Sequence, residues 1–324
     1  MKVSVALCTY NGERFLDEQL KSILNQLKPG DEVIICDDCS QDQTVPIIQH
    51  YSNQYPGIIQ LCINAQNLGG KKNFEKALSL CTGDIIFFSD QDDIWQPEKV
   101  EIMVAELQNR PQCLGAFSDG YLIRENGGPY SYSFLDSFGC TLTDRAEIIK
   151  KGACDYVLTF SNIVAGAMLA IKKEAIPLVY PFKLMDEMWH DEWIALVLSS
   201  VNKFMFVDQK LIQYRLHSAQ QLGIGEEDGY DKHVQYLNIL KDHDEMKKRP
   251  LEYFSHTWMA YNKVRNYEKE IKELHKFKNA YKNRFQYSKI HFLKQYNFFF
   301  RKARILKWLI NNEFETTWKD VLKL

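Results

Sequence analysis

Between residues 84 and 95 the chain reads Asp84-Ile85-Ile86-Phe87-Phe88-Ser89-Asp90-Gln91-Asp92-Asp93-Ile94-Trp95. An unbroken apolar run of this length, bounded by polar residues, suits a strand covered on both faces, as in a parallel sheet. Asp90, Asp92 and Asp93 cannot all stay ionised at such spacing without a compensating cation. Their oxygens suit a hard divalent ion, Mg2+ or Mn2+, which usually holds phosphate oxygens as well. In open α/β sheets ligands bind at the carboxyl ends of strands. The stretch therefore points to a metal–diphosphate site at a sheet edge. The plainer alternative is an acidic turn capping the helix after Pro97.

The rest of the first 223 residues repeats the alternation this implies. Lys2–Cys8 reads as a strand, and Glu13–Leu27 as a helix whose Phe15, Leu16, Leu20, Ile23, Leu24 and Leu27 keep helical spacing. Glu32–Cys36 is a second strand, followed by a helix from about Thr44 to Tyr55 with Asp42 as its cap. Ile58–Ile63 is a third strand and about Asn73–Leu80 a helix. Pro97–Arg110 is an amphipathic helix and Cys113–Ile123 a further strand. Single helices between strands imply right-handed crossovers and a doubly wound sheet. No G-x-G-x-x-G follows the first strand, which counts against a dinucleotide-binding domain. Residues 124–160, rich in Gly and aromatics, read as a substrate-facing loop with a short helix near Asp144–Lys150. Asn162–Ile171 is apolar and small. A helix from about Met188 to Ser200 opens on His190-Asp191-Glu192-Trp193, and Lys203–Val207 with Leu211–Leu216 forms a hairpin or one bent strand.

Charge divides the chain. Residues 225–324 hold 21 Lys and Arg against 14 Asp and Glu, whereas the first 224 hold 19 against 28. An acidic body and a basic tail suggest different partners for each. We draw a domain boundary near Gly225–Gly229, with 1–225 catalytic (a donor half of about 1–120 and an acceptor half of about 121–225) and 226–324 a helical extension. Eight cysteines, no paired zinc spacing and no secretory signal argue for a reducing cytoplasm. Cys36-Asp37-Asp38-Cys39 is formally a C-x-x-C, but it closes a strand instead of opening a helix. No apolar run approaches the roughly 18 residues of a membrane span.

Five pieces recur at loop positions after strands: Thr9-Tyr10-Asn11-Gly12, Asp37-Asp38, Asn67-Leu68-Gly69-Gly70-Lys71, Asp90-Gln91-Asp92-Asp93, and His190-Asp191 with Tyr214-Arg215-Leu216-His217. In this order they resemble the family 2 inverting glycosyltransferases of the GT-A fold, over about two thirds of the chain. Within that family the chain looks most like bacterial rhamnosyltransferase-type enzymes of surface-polysaccharide assembly. The resemblance implies a mostly parallel sheet flanked by helices and a helical extension. It places Thr9, Tyr10, Asn11 and Glu13 against the nucleoside, Asp37 and Asp38 at the base, and Asn67, Gly70, Lys71, Asp90 and Gln91 along the donor. Asp92 becomes the metal ligand with His217, for Mn2+ or Mg2+, and Asp191 the catalytic base. Trp95, Asp93, Glu192 and Arg215 are left for the acceptor or diphosphate. Where relatives carry an aromatic after the base this chain has Glu192, and Gln220 replaces their Asn after the histidine.

The activity this resemblance implies is a metal-dependent inverting transfer of a sugar to a glycan acceptor. The leading donor is dTDP-L-rhamnose, with a UDP-hexose second and a non-catalytic glycan-binding module third. Lys276–Ile310 interleaves cations with Phe, Tyr, Trp, Ile and Leu, the pattern of a helix lying in an anionic membrane interface. That favours a lipid-linked acceptor and a protein held peripherally on the inner face of the plasma membrane. A helical pair packing on the catalytic domain or on a second protomer is the alternative; nothing beyond charge favours nucleic acid.

Overall fold

Four parallel strands carry the amino-terminal half of the sheet. β1 (Val3–Thr9), β2 (Glu32–Asp37), β3 (Ile59–Ile63) and β4 (Ile85–Ser89) lie in the order β3-β2-β1-β4. The helices between them are α1 (Leu16–Leu24), α2 (Thr44–Gln54) and α3 (Gly70–Leu80). Ile85, Ile86, Phe87 and Phe88 are at most 1% exposed, as a strand covered on both faces requires. The computed structural model describes residues 1–159, 163–184, 188–220, 260–267, 271–275, 278–284 and 286.

Beyond β4 the sheet turns mixed. The two-residue β5 (Ile94–Trp95) precedes α4 (Lys99–Asn109), β6 (Gly115–Arg124) and β7 (Pro129–Ser133). Short helices α5 (Phe134–Ser137), α6 (Leu142–Lys151) and α7 (Cys154–Thr159) follow, then β8 (Leu169–Lys172), α8 (Ile176–Val179), α9 (His190–Ser200) and β9 (Phe204–Leu216). β8 runs antiparallel to both β4 and β6, β9 runs parallel to β6, and β5 and β7 add antiparallel edges. The expected hairpin or bent strand is one 13-residue strand, β9, with register shifts opposite Ser118 and Asp119.

Residues 124–160 depart from the substrate-facing loop expected of them. They form β7 and three helices, and bury Phe134, Leu135, Ile148 and Val157. Two capping boxes hold the turns, Ser133 with Asp136 and Thr141 with Asp144. The buried Arg145 ties this layer to the sheet through Asp119, Asp136 and Asp208. Its composition reflects turns and packing, not exposure.

The chain divides into two compact units, Met1–Gln235 and Tyr236–Leu324. The boundary expected near Gly225–Gly229 lies outside the described residues, as does most of Lys276–Ile310. In the second unit, residues 260–267 and 278–284 are helical, with Ala260, Val264, Tyr267, Ile271, Leu274 and Tyr281 buried. No helix among the described residues is long and apolar enough to cross a membrane.

Candidate active site

The chain winds from β1 to β2 and β3, then returns to place β4 on the other side of β1. This reversal of strand order opens a crevice at the carboxyl ends of β1 and β4. A cavity of about 220 Å³ occupies it, walled by Cys8, Thr9 and Tyr10 on one side and Asp90, Gln91 and Asp92 on another. Asp38, Asn67, Gly69, Gly70, Asn73 and Phe74 close the β2–α3 side; Gly166, Trp189, His190, Asp191 and Tyr214 complete it.

The acidic turn is held by strand pairing. β5 pairs with β9 as Ile94 with Gln213 and Trp95 with Ile212, which puts Asp92 and Asp93 beside the end of β9. His217 Nε2 then lies 2.9 Å from Asp92 Oδ2, across 125 residues of sequence. Arg215 is 2% exposed and acts as a buried tie. Its backbone N–H donates to Asp93 Oδ1 (3.0 Å), while its guanidinium donates to Asp92 O, Glu125 O and Glu18 Oε2. Arg215 therefore shapes the turn from behind and does not line the cavity.

Negative charge is concentrated here. Burial, then Asp92 and Asp191, push the Asp90 carboxyl up to about 8. Burial, then Asp92 and Asp90, hold Asp93 well above the usual carboxylate range, and its Oδ2 has no partner among the described residues. The Tyr214 hydroxyl is raised by burial and by all four of Asp93, Asp90, Asp92 and Asp191. A buried cation faces the cluster. Lys99, wholly buried, donates to Ala167 O at 2.5 Å and lies 4.0 Å from the Trp95 ring centroid. Burial draws its pKa down to about 7, against the opposite pull of Asp93 and Asp90. In the sequence Lys99 reads as a surface lysine. Its spacing from Met103 and Leu107 on the buried face of α4 is the signal that could have found it.

On the nucleotide side, the two adjacent aspartates organise loops. Asp37 is wholly buried and accepts from Thr9 Oγ1 (2.8 Å), Ser40 Oγ (2.6 Å) and Ser40 N (2.9 Å); it does not line the cavity. Asp38 does, and accepts from Asn64 Nδ2, Leu68 N and Gly69 N within 2.8 Å. Gly69 takes φ +77, a left-handed conformation that favours glycine. Asn67 Nδ2 donates to Asp38 O, and Gln91 brackets the backbone of Tyr10 from both sides. Asn11 and Glu13 accept from Gln41 N and Gln43 N, knitting the first loop to the start of α2. Lys71 Nζ lies 5.5 Å from the Trp189 ring centroid.

Opposite the acidic turn, Asp191 is the second residue of α9. Its Oδ2 accepts from Gly166 N (2.9 Å) and its Oδ1 from Glu192 N (2.7 Å), which aims the carboxylate. Glu192 itself does not line the cavity, so Asp191 is the acid presented there. Trp95, expected on the acceptor wall, is 2% exposed and packs against Phe87, with ring centroids 5.4 Å apart. Trp189 and Tyr214, with Tyr10 and Phe74, are aromatics that do line the cavity.

No group of three or more His, Cys, Asp or Glu side chains among the described residues is placed to hold a metal ion. Asp92 and His217 nevertheless fit one. They face each other at 2.9 Å, beside Asp90 and Asp93, whose carboxyls are raised by burial first and by the neighbouring carboxylates second. A Mg2+-type ion is usually held by one or two protein ligands, with substrate phosphates and water completing the shell. None of the eight cysteines is in a disulfide; Cys36 is buried, its thiol pushed up to about 12 chiefly by burial, which disfavours the thiolate that metal binding or disulfide exchange needs.

Burial also holds the His190 ring neutral, its pKa lowered from 6.5 to about 3. Between those values the unfolded chain binds a proton that the folded one does not. The ring therefore withdraws stability as pH falls below 6.5, by at most about 1.4 kcal/mol per pH unit. The difference in thermal midpoint between the parent and His190→Phe should widen in the variant's favour from about pH 6.5 to about 4.5, which calorimetry would follow.

The architecture recurs in solved structures. S. aureus TarS 1–349 in complex with UDP-GlcNAc superposes with a TM-score of 0.52 at 18% identity, over 87% of this chain and 92% of that one. The mannosyltransferase PcManGT from Pyrobaculum calidifontis, in complex with GDP-Man and Mn2+, gives 0.53 at 15% identity, over 98% and 83%. The fold is that of the GT-A glycosyltransferases. The model of glycosyl transferase family 2 matches residues 4–161. The dTDP-rhamnosyl transferase RfbG of Shigella flexneri is 31% identical over 231 residues, 67% of this chain and 73% of that protein. The teichuronic acid biosynthesis glycosyltransferase TuaG of Bacillus subtilis, itself named as putative, is 32% identical over 136 residues, 42% of this chain and 51% of that one. The chain belongs to glycosyl transferase family 2, and it is a glycosyltransferase.

Proposed function

We propose that the protein transfers a sugar, with inversion, from a nucleoside diphosphate donor to a hydroxyl of a glycan, with a divalent metal at Asp92 and His217. The observation that carries this reading is the meeting of Asp90, Asp92 and Asp191 on the walls of one cavity at the switch point of the sheet. Asp191, held by two backbone N–H groups, takes the proton from the acceptor hydroxyl as its oxygen forms the new bond to the anomeric carbon. The bond from that carbon to the diphosphate breaks on the opposite face. One carboxylate suffices, unlike the facing pair that hydrolysis of a glycoside needs. When bound, the metal would neutralise charge building on the departing diphosphate. Asp38, Asn67 and Gly69 frame the nucleotide side, and Gln91 fixes the Tyr10 backbone there.

The relative named for dTDP-rhamnosyl transfer supports dTDP-L-rhamnose as the donor. The interleaved cations and aromatics of residues 276–310 support a lipid-linked acceptor on the inner membrane face. Removing residues 276–324 is expected to abolish co-sedimentation with anionic vesicles; unchanged sedimentation would refute the peripheral attachment. The donor is tested by the thermal midpoint with UDP, dTDP, GDP and CMP, each with and without Mn2+. A ligand that binds only the native state raises the midpoint by mass action. A Mn2+-dependent rise with dTDP supports the reading, one confined to UDP moves the donor to a UDP-hexose, and none with any nucleotide overturns it.

A further inference from the structure

The first residue of α9 is buried in a way that packing does not explain. His190 is 3% exposed, and its ring stacks on Phe74 at 3.9 Å between centroids, with Phe88 at 5.6 Å and Phe182 at 6.1 Å. Among these aromatics neither ring nitrogen has a hydrogen-bond partner in the described structure. A buried polar group left unsatisfied forfeits its hydration and gains nothing in return, so a phenylalanine would suit this position better if the core alone mattered. A neutral imidazole has one nitrogen that donates and one that accepts, whichever tautomer it takes.

The ring forms part of the cavity wall. Beside it is Gly166, which also lines the cavity; a Cβ there would lie 2.7 Å from His190 Nε2. The absent side chain is what lets the glycine backbone and the Nε2 edge of the ring lie so close together. The N–H of the same glycine donates to Asp191 Oδ2, so the unsatisfied nitrogen and the carboxylate share one small patch of wall. Phe74 and Phe88 belong to α3 and β4, the elements that lead to Gly70 and Asp90 on the donor side. A group reaching so enclosed a ring must itself be enclosed in the cavity, as the transferred sugar would be and an extended glycan would not.

We propose that His190 contacts the substrate and determines specificity, its imidazole hydrogen-bonding a hydroxyl of the transferred sugar beside Asp191. The inference rests on the donor-site reading above. Burial keeps the ring in its neutral form, able to donate and accept, throughout the physiological range.

The test separates sugar from nucleotide. Binding of dTDP and dTDP-L-rhamnose, and of UDP and UDP-glucose, is measured by titration calorimetry with Mn2+ for the parent, His190→Phe, His190→Gln and Gly166→Ala, alongside thermal midpoints. His190→Phe should keep or raise the midpoint and bind the free nucleoside diphosphate within about twofold of the parent. It should bind the corresponding nucleotide sugar about tenfold more weakly or worse, with part of that loss recovered in His190→Gln, which restores a polar group of similar reach. Gly166→Ala, whose Cβ would lie 2.7 Å from Nε2 and so must push the imidazole edge from its place, should show the same selective loss. Nucleotide-sugar affinity and kcat/KM within twofold of the parent in His190→Phe and Gly166→Ala would overturn the proposal. So would equal loss of nucleotide and nucleotide-sugar binding in the variants, the mark of a packing role. Failure of the parent to bind any nucleotide would overturn the donor-site reading itself.

Discussion

Asp191→Asn is expected to lower kcat by about 10²-fold or more, the scale of a lost general base, while the donor dissociation constant stays within about twofold. The amide has the size of the carboxylate and occupies the same place against Gly166 N and Glu192 N. It has no basic oxygen to take the acceptor's proton, and one face now turns an N–H towards a backbone N–H. Asp191→Ala should lose turnover at least as severely. Single-turnover rates and nucleotide binding, measured separately, distinguish loss of chemistry from loss of the site. Turnover surviving in Asp191→Asn and lost in Glu192→Gln would move the base to the neighbouring acid.

Asp92→Ala should weaken Mn2+-dependent donor binding by about 100-fold or more and leave whatever binding persists under chelator unchanged. Its Oδ2 is the oxygen that faces His217 Nε2, so His217→Ala should produce the same kind of defect. The double variant should be far from additive, since the two side chains act on one ion. Stability is expected to move the other way. Asp92 is, after burial, the largest cause of the raised pKa of both Asp90 and Asp93. Removing it relieves that repulsion, and metal-free Asp92→Asn should melt above the parent. A variant that melts lower and still binds donor with Mn2+ would exclude Asp92 as the ligand. A site that is more stable when disabled is a common result of crowding like charges for function.

Much of this protein is written in local pattern. Ile85 to Phe88 declare a doubly covered strand because nothing polar interrupts them, and helical spacing announces α1 from Leu16, Leu20, Ile23 and Leu24. The loops bearing Asp38, Asn67, Asp90 and Asp92 follow from where the strands end, and all four residues line the cavity. Period and turn chemistry belong to neighbouring residues, so a sequence carries them directly. The division of charge between body and tail is legible in the same way.

Other features depend on contacts made across the fold. Trp95 follows the acids and in sequence resembles a sugar platform, yet pairing of β5 with β9 turns it into the core. Arg215 has the character of a diphosphate contact and instead braces Asp92 and Asp93 from behind. Asp37 and Asp38 are adjacent, but strand alternation sends successive side chains to opposite faces, and only Asp38 lines the cavity. Lys99, His190 and Gly166 draw no role from their neighbours in sequence, because their meaning lies in what surrounds them: buried acids, aromatic rings and the close edge of an imidazole. Local pattern carries the parallel half of the sheet, the order of its loops and the family resemblance. The antiparallel strands β7 and β8, and the choice of side chains that reach the cavity, come from contacts across the fold, such as that of Asp92 with His217, which joins residues 125 apart.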